Sequence, residues 1–117
     1  MRSPALAAFA AVSAAALLAC SGCARSPSAA LLASGLAAAR ADAWDDAVRE
    51  WTLAVEREPG SAAAHNNLAV AYERRGAWDE AAREYETARR LAPDDAVIRA
   101  NHEAFKARLE RLRGKAA

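Results

Sequence analysis

A shift of 34 residues lays one half of the chain over the other. Trp44 falls on Trp78, Asp45 on Asp79, Ala47 on Ala81, Ala54 on Ala88 and Pro59 on Pro93. Arg49-Glu50 falls on Arg83-Glu84, and Trp51 on Tyr85. Upstream, Gly35 falls on Ala69, Ala37 on Ala71 and Ala43 on Ala77. A fixed period of this length marks repetition of one supersecondary unit, which buries its apolar face only against a neighbouring copy. The chain must therefore stack. A thick closed core is excluded in any case: hydrophobic residues reach 54%, but most of them are alanine.

Within each period the pattern predicts two amphipathic helices and a turn. Few Gly and Pro and a bias toward Ala, Glu, Arg and Leu favour helix throughout. Alanines at 47, 54, 69, 81 and 88 let helices approach closely, and bulky Trp51, Tyr72 and Tyr85 fill the spaces between them. Pro59 and Pro93 stop the second helix of each pair. Gly76 supplies the positive φ that closes a helix. Ser28, Ser61 and Asp95 are placed to cap the helices that follow them. Asp45/Arg49, Asp79/Arg83 and Glu86/Arg90 stand in the favourable i,i+4 order.

These residues resemble the tetratricopeptide repeat. In residues 62–95 the resemblance runs through Leu68-Ala69, Tyr72, Gly76, Ala81, Tyr85, Ala88 and Pro93. In residues 28–61 it runs through Trp44, Ala47, Trp51, Ala54 and Pro59. The first half of that earlier unit departs: Ser34 replaces a large apolar residue, Ala38 an aromatic, and Asp42 the turn glycine. The resemblance implies an all-α fold, a short α-solenoid of two helix-turn-helix hairpins, closed by a capping helix over 96–113. In that last segment Val97, Ile98, Phe105, Leu109 and Leu112 form one apolar stripe, while Arg99, Lys106, Arg108, Arg111 and Arg113 stay wet. From Arg99 onward six basic residues face two acidic ones, so the segment reads as a solvating cap or as a basic handle for an acidic partner or an anionic surface.

The N-terminal segment reads as an address. Ala5 to Leu18 carry no charge, a run of signal-peptide length and shorter than the roughly 20 residues that span a bilayer. Leu17-Leu18-Ala19-Cys20 resembles the bacterial lipobox, which implies a lipoprotein signal peptide over 1–19, lipidation of Cys20, and a tether over 20–27. Cys23, behind Ser21-Gly22, is the second choice. An ordinary cleaved leader with two idle cysteines is the competing reading. Two or more acyl chains hold a protein stably on a membrane without a spanning helix. The resemblance then implies a location in the cell envelope, facing the periplasm; Ser21, not being Asp, favours the outer membrane.

Residues that carry chemistry are scarce. His65 and His102 lie 37 apart, off the period, and neither has a Cys or carboxylate motif at metal-ligand spacing; each reads as a surface or edge residue. No phosphate loop or nucleophile elbow is present, so neither a catalytic set, a metal nor a cofactor is expected. Charge is nearly balanced, 16 Lys+Arg against 15 Asp+Glu, which argues against nucleic acid. By resemblance, the first helix of each pair lines the concave face. The inward positions implied for a protein or peptide partner include Leu32, Leu36, Arg40, Asn66, Asn67, Val70, Arg74 and Asn101. Asn67 and Asn101 are 34 apart, as are Arg40 and Arg74. The lysine positions of the carboxylate clamp known in some relatives hold Ala63, Asn66 or Leu32, so a groove is expected and not that ligand. Two repeats are few, and homo-oligomerisation or docking on a partner would cover the exposed faces. The expected function is a scaffold or adaptor. An accessory subunit of an envelope enzyme is the alternative.

Overall fold

A computed structural model describes residues 26–116. The leader, with Cys20, Cys23 and any lipid they carry, lies outside the described residues. Five helices follow one another: α1 Ala29–Arg40, α2 Trp44–Arg57, α3 Ala62–Arg74, α4 Trp78–Leu91 and α5 Ala96–Ala116. Among the described residues there is no strand, and no helix is long and apolar enough to cross a membrane. The packing is sequential: α1 lies on α2, α2 on α3, α3 on α4, and α5 covers α4 while touching α3. This is an all-α stack of two hairpins and a longer terminal helix.

The hairpins repeat down to single hydrogen bonds. In the first turn, the backbone N–H of Ala43 donates to the Ala38 carbonyl at 2.9 Å and that of Asp42 to Ala39 at 3.0 Å. Shifted by 34, Ala77 donates to Tyr72 at 2.9 Å and Gly76 to Glu73 at 3.0 Å. Both turns require a left-handed residue, Asp42 at φ 60° and Gly76 at φ 75°. Aspartate tolerates that conformation through its short polar side chain, and here the Asp42 carboxylate also accepts a bond from Trp44 Nε1. The substitution that departs from the glycine pattern therefore preserves the turn. Asp42 brings its own acceptor, so the chain reverses as tightly in the first hairpin as in the second.

Each hairpin is filled by one aromatic from its second helix. Trp51 is 1% exposed and Tyr85 1% exposed. The Trp51 indole lies directly against Gly35, where any Cβ would overlap the ring, and its Nε1 donates to the Leu32 carbonyl at 3.2 Å. The period places Ala69 in the role of Gly35 and Tyr85 in the role of Trp51, and Ala69 and Tyr85 share one buried cluster. The larger ring thus faces the residue without a side chain, and the smaller ring faces a methyl. The total volume stays close to constant, as dense packing requires.

The caps follow the sequence at two of three positions. Ser61 Oγ accepts from the Ala64 N–H at 3.2 Å. Asp95 Oδ1 accepts from Val97 and Ile98 at 2.9 and 3.0 Å. Ser28 does not cap: its buried hydroxyl donates to Glu58 Oε1 at 3.1 Å instead, tying the start of α1 to the end of α2. The expected pairing of Asp45 with Arg49 is also replaced. Asp45 reaches Arg75 at 2.8 Å, on the next hairpin, and Arg49 turns to Asp46. In α5, Ile98 and Phe105 are buried as expected, but Leu112 is 41% exposed.

Adding a methyl at Gly35 overfills the first hairpin. Gly35→Ala is expected to cost about 1–3 kcal/mol, the usual range for overpacking, read as a lower midpoint in thermal or urea unfolding. Combining it with Trp51→Tyr, which recreates the Ala-Tyr pairing of the second hairpin, is expected to recover part of that loss. Strict additivity of the two changes would contradict the packing described.

Candidate inner surface

The eight inward positions do not share one environment. Leu32, Leu36, Asn66, Asn67 and Val70 are buried among the packed helices, Asn66 and Asn67 at 1% exposure each. Leu32 and Leu36 belong to the core of the first hairpin, and Val70 to that of the second. They are therefore not an open lining. Asn101 is half-buried, and Arg40 is exposed.

The asparagines form a short relay. Asn101 Nδ2 on α5 donates to Asn66 Oδ1 on α3 at 3.2 Å, and Asn66 Nδ2 points to Asn67 Oδ1 at 3.5 Å. At that distance the second link is weak. Asn67 Nδ2 ends the relay as a buried donor with no partner among the described residues. Such a donor costs about 1–3 kcal/mol unless something accepts from it.

Arg74 leads to a notch in the surface. Its guanidinium lies 5.0 Å over the Trp44 ring, a cation–π distance. One period on, Trp78 and Arg108 stand together in the same notch. That notch holds about 520 Å³ at the turn end of the inner row, with Glu73 and Arg75 also on its walls. Arg108 was expected to remain wet on the cap. It instead donates to Glu73 Oε1 at 3.1 Å, and Glu73 Oε2 accepts from the Tyr85 hydroxyl at 2.7 Å. One carboxylate thus joins α3, α4 and α5. Burial, reinforced by the Glu73 charge, pushes the Tyr85 phenol up and keeps it a donor. Sequence inspection missed Arg108 as a wall of this surface, although its signal was available: 40, 74 and 108 are successive steps of the period.

Of the two histidines, only His65 departs from a surface or edge position. His65 is 7% exposed. Its Nδ1 meets Glu84 Oε2 at 2.6 Å and its Nε2 meets the Pro59 carbonyl at 2.8 Å. Both partners are acceptors, so the doubly protonated ring satisfies both. Glu84 raises the His65 pKa, against burial, and the Pro59 carbonyl adds to the rise. His102 is the opposite case. It is half-buried, stacks on Tyr85 at 5.8 Å, and lies 3.3 Å from Arg89 Nη1. Burial first, then Lys106 and Arg89, lower its pKa. Among the described residues no group of three His, Cys, Asp or Glu side chains could hold a metal ion.

The fold is an all-α stack of helical hairpins similar to tetratricopeptide repeats, a type of repeat that generally binds protein partners. Residues 62–95 match the family model described as Tetratricopeptide repeat, which covers α3 and α4 together with the Glu73, Arg74 and Trp78 positions of the notch. No curated protein matches the chain.

The histidines set a pH profile. His65, raised from 6.5 on folding, adds stability that is complete below that value and is lost as pH rises through its higher native pKa. His102, lowered from 6.5, costs stability as pH falls below 6.5 toward its native pKa. Thermal unfolding across the neutral range is expected to show a maximum near pH 6.5. His65→Gln should flatten the alkaline limb, and His102→Ala the acidic limb. Unchanged limbs in both variants would contradict the assignments.

Proposed function

We propose that this chain is a membrane-anchored adaptor of the bacterial envelope, which holds a polypeptide partner on its inner surface and performs no chemistry itself. The observation that carries the proposal is the notch, where two 34-spaced Trp–Arg pairs, Trp44 with Arg74 and Trp78 with Arg108, meet in about 520 Å³ of open space. Trp and Arg are the residue types that dominate binding energy at protein interfaces. A guest chain can stack on the indoles, and its carbonyls and carboxylates find guanidinium donors in fixed orientation. A peptide carbonyl reaching Asn67 Nδ2 would satisfy a buried donor that has no partner among the described residues.

The anchor rests on the lipobox-like Leu17-Leu18-Ala19-Cys20, with Cys23 as the second site. It would hold the stack on the periplasmic side of the envelope, at the outer membrane by the Ser21 criterion. Such a placement suits assembly of a pilus, a secretion channel or an outer-membrane complex. A second copy of the chain would cover the exposed ends of so short a stack.

Two measurements test these parts separately. A photo-crosslinker in place of Arg74 is expected to capture a defined protein in living cells, whereas one in place of exposed Arg57 on α2 is not. Trp78→Ala is expected to weaken that capture by about 2 kcal/mol or more if the indole is a central contact. Equal capture from both positions would refute the inner surface. For the anchor, incorporation of a palmitate analogue is expected in the wild type and should vanish in a Cys20→Ala, Cys23→Ala double variant; persistence of label in that variant would refute lipidation.

A further inference from the structure

Helix α5 is longer than the helix it packs on, 21 residues against 14. It starts beyond the end of α4 and runs back along it. Phe105 comes within 5.0 Å of Tyr85 and 6.4 Å of Trp78, ring centre to ring centre. Trp78 opens α4, so the last two turns of α5 lie beside the start of that helix, from Trp78 to Ala82. Two furrows form there, on either side of Leu112 and both against Trp78. One, of about 310 Å³, is walled by Arg108, Arg111 and Lys115. The other, of about 350 Å³, is walled by Ala82, Leu109 and Ala116, with Asp79 and Arg113 at its margins. The i, i+3 and i+7 spacing of each set places the basic and apolar furrows on adjoining faces of one helix.

Cations at a helix C-terminus complement the backbone dipole, but that effect fades beyond the last turn, and Arg108 and Arg111 lie farther in. Arg111 and Lys115 are exposed, and no ion pair among the described residues reaches them. Dipole complementation also leaves the uncovered Leu112 beside Trp78 without a reason. A flat anionic membrane fits the shape poorly. Leu112 is the one large apolar side chain of α5 that is exposed, whereas an interfacial helix needs a broad apolar face. Side-chain-sized furrows suit an inserted residue.

We propose that the overhang of α5 and Trp78 form a second binding surface, adjoining the notch and sharing Trp78 and Arg108 with it, for an acidic polypeptide segment. A carboxylate of the guest sits between Arg108, Arg111 and Lys115. An adjacent aliphatic or aromatic side chain of the guest fills the furrow over Leu109 and Leu112.

The test uses the full chain in detergent and a fluorescein-labelled helical peptide bearing leucines on one face and glutamates beside them. Anisotropy is expected to report binding that weakens with salt. An Arg111→Glu, Lys115→Glu double variant and Leu112→Ser should each weaken it about tenfold, while Arg57→Ala at an exposed position on α2 leaves it unchanged. These positions are exposed, so folding is checked by circular dichroism. Three results would overturn the proposal. A peptide with lysine in place of glutamate binds equally well. The substitutions change binding to phosphatidylglycerol vesicles but not to the peptide. The same substitutions abolish self-association in sedimentation while peptide binding is absent.

Discussion

The indole of Trp51 occupies the space that a side chain at residue 35 would need, and Gly35 has none. Much of the stack depends on that exclusion. A helix pair with so few large residues holds together only if its backbones come close, and they come close only where one helix offers almost nothing and the other offers a ring. The second hairpin solves the same problem with Ala69 and Tyr85. Between them, the small faces of α2 and α4, with Ala47, Ala54, Ala81 and Ala88 all at 0% exposure, let each helix lie against its neighbours. Repetition thereby replaces the single core that the composition could not provide.

Glu73 adds direction to this packing. It receives the Tyr85 hydroxyl from α4 and the Arg108 guanidinium from α5, so the terminal helix is fixed in register by a charged hydrogen-bond pair rather than by apolar area alone. The same pair holds Arg108 at the edge of the notch. Packing and function meet at this residue: what locks α5 also shapes the surface offered to a partner. His65 does comparable work at the junction of the hairpins, linking the turn after α2 to Glu84 on α4.

The period made the fold legible. Helix positions, both turns, the Ser61 and Asp95 caps and the two filling aromatics all follow from residues that recur at 34 or that have known local preferences. What the period concealed were interactions between non-equivalent positions. His65 lacks a counterpart at the repeat distance, so nothing in the pattern showed that Pro59 and Glu84 would enclose it. Ser28 looked like a cap because it precedes a helix, but its own backbone is already helical and its hydroxyl donates to Glu58. The inward row was drawn from helix geometry, which does not reveal how deeply neighbouring helices bury its members. Leu32 and Val70 became core for that reason. Arg108 was overlooked because it was grouped with the wet basic face of the terminal helix, although Asn101 already continued the inward row there.

The central claim is that the second hairpin repeats the first, each opening tryptophan resting on the next helix in line. Nuclear Overhauser contacts in the labelled protein measure this directly. Trp44 is expected to show contacts to the Arg74 side chain, and Trp78 to the Phe105 ring and the Arg108 side chain. Contacts at one tryptophan with none at the other would mean that the two halves are not equivalent, and the account of the fold would fail.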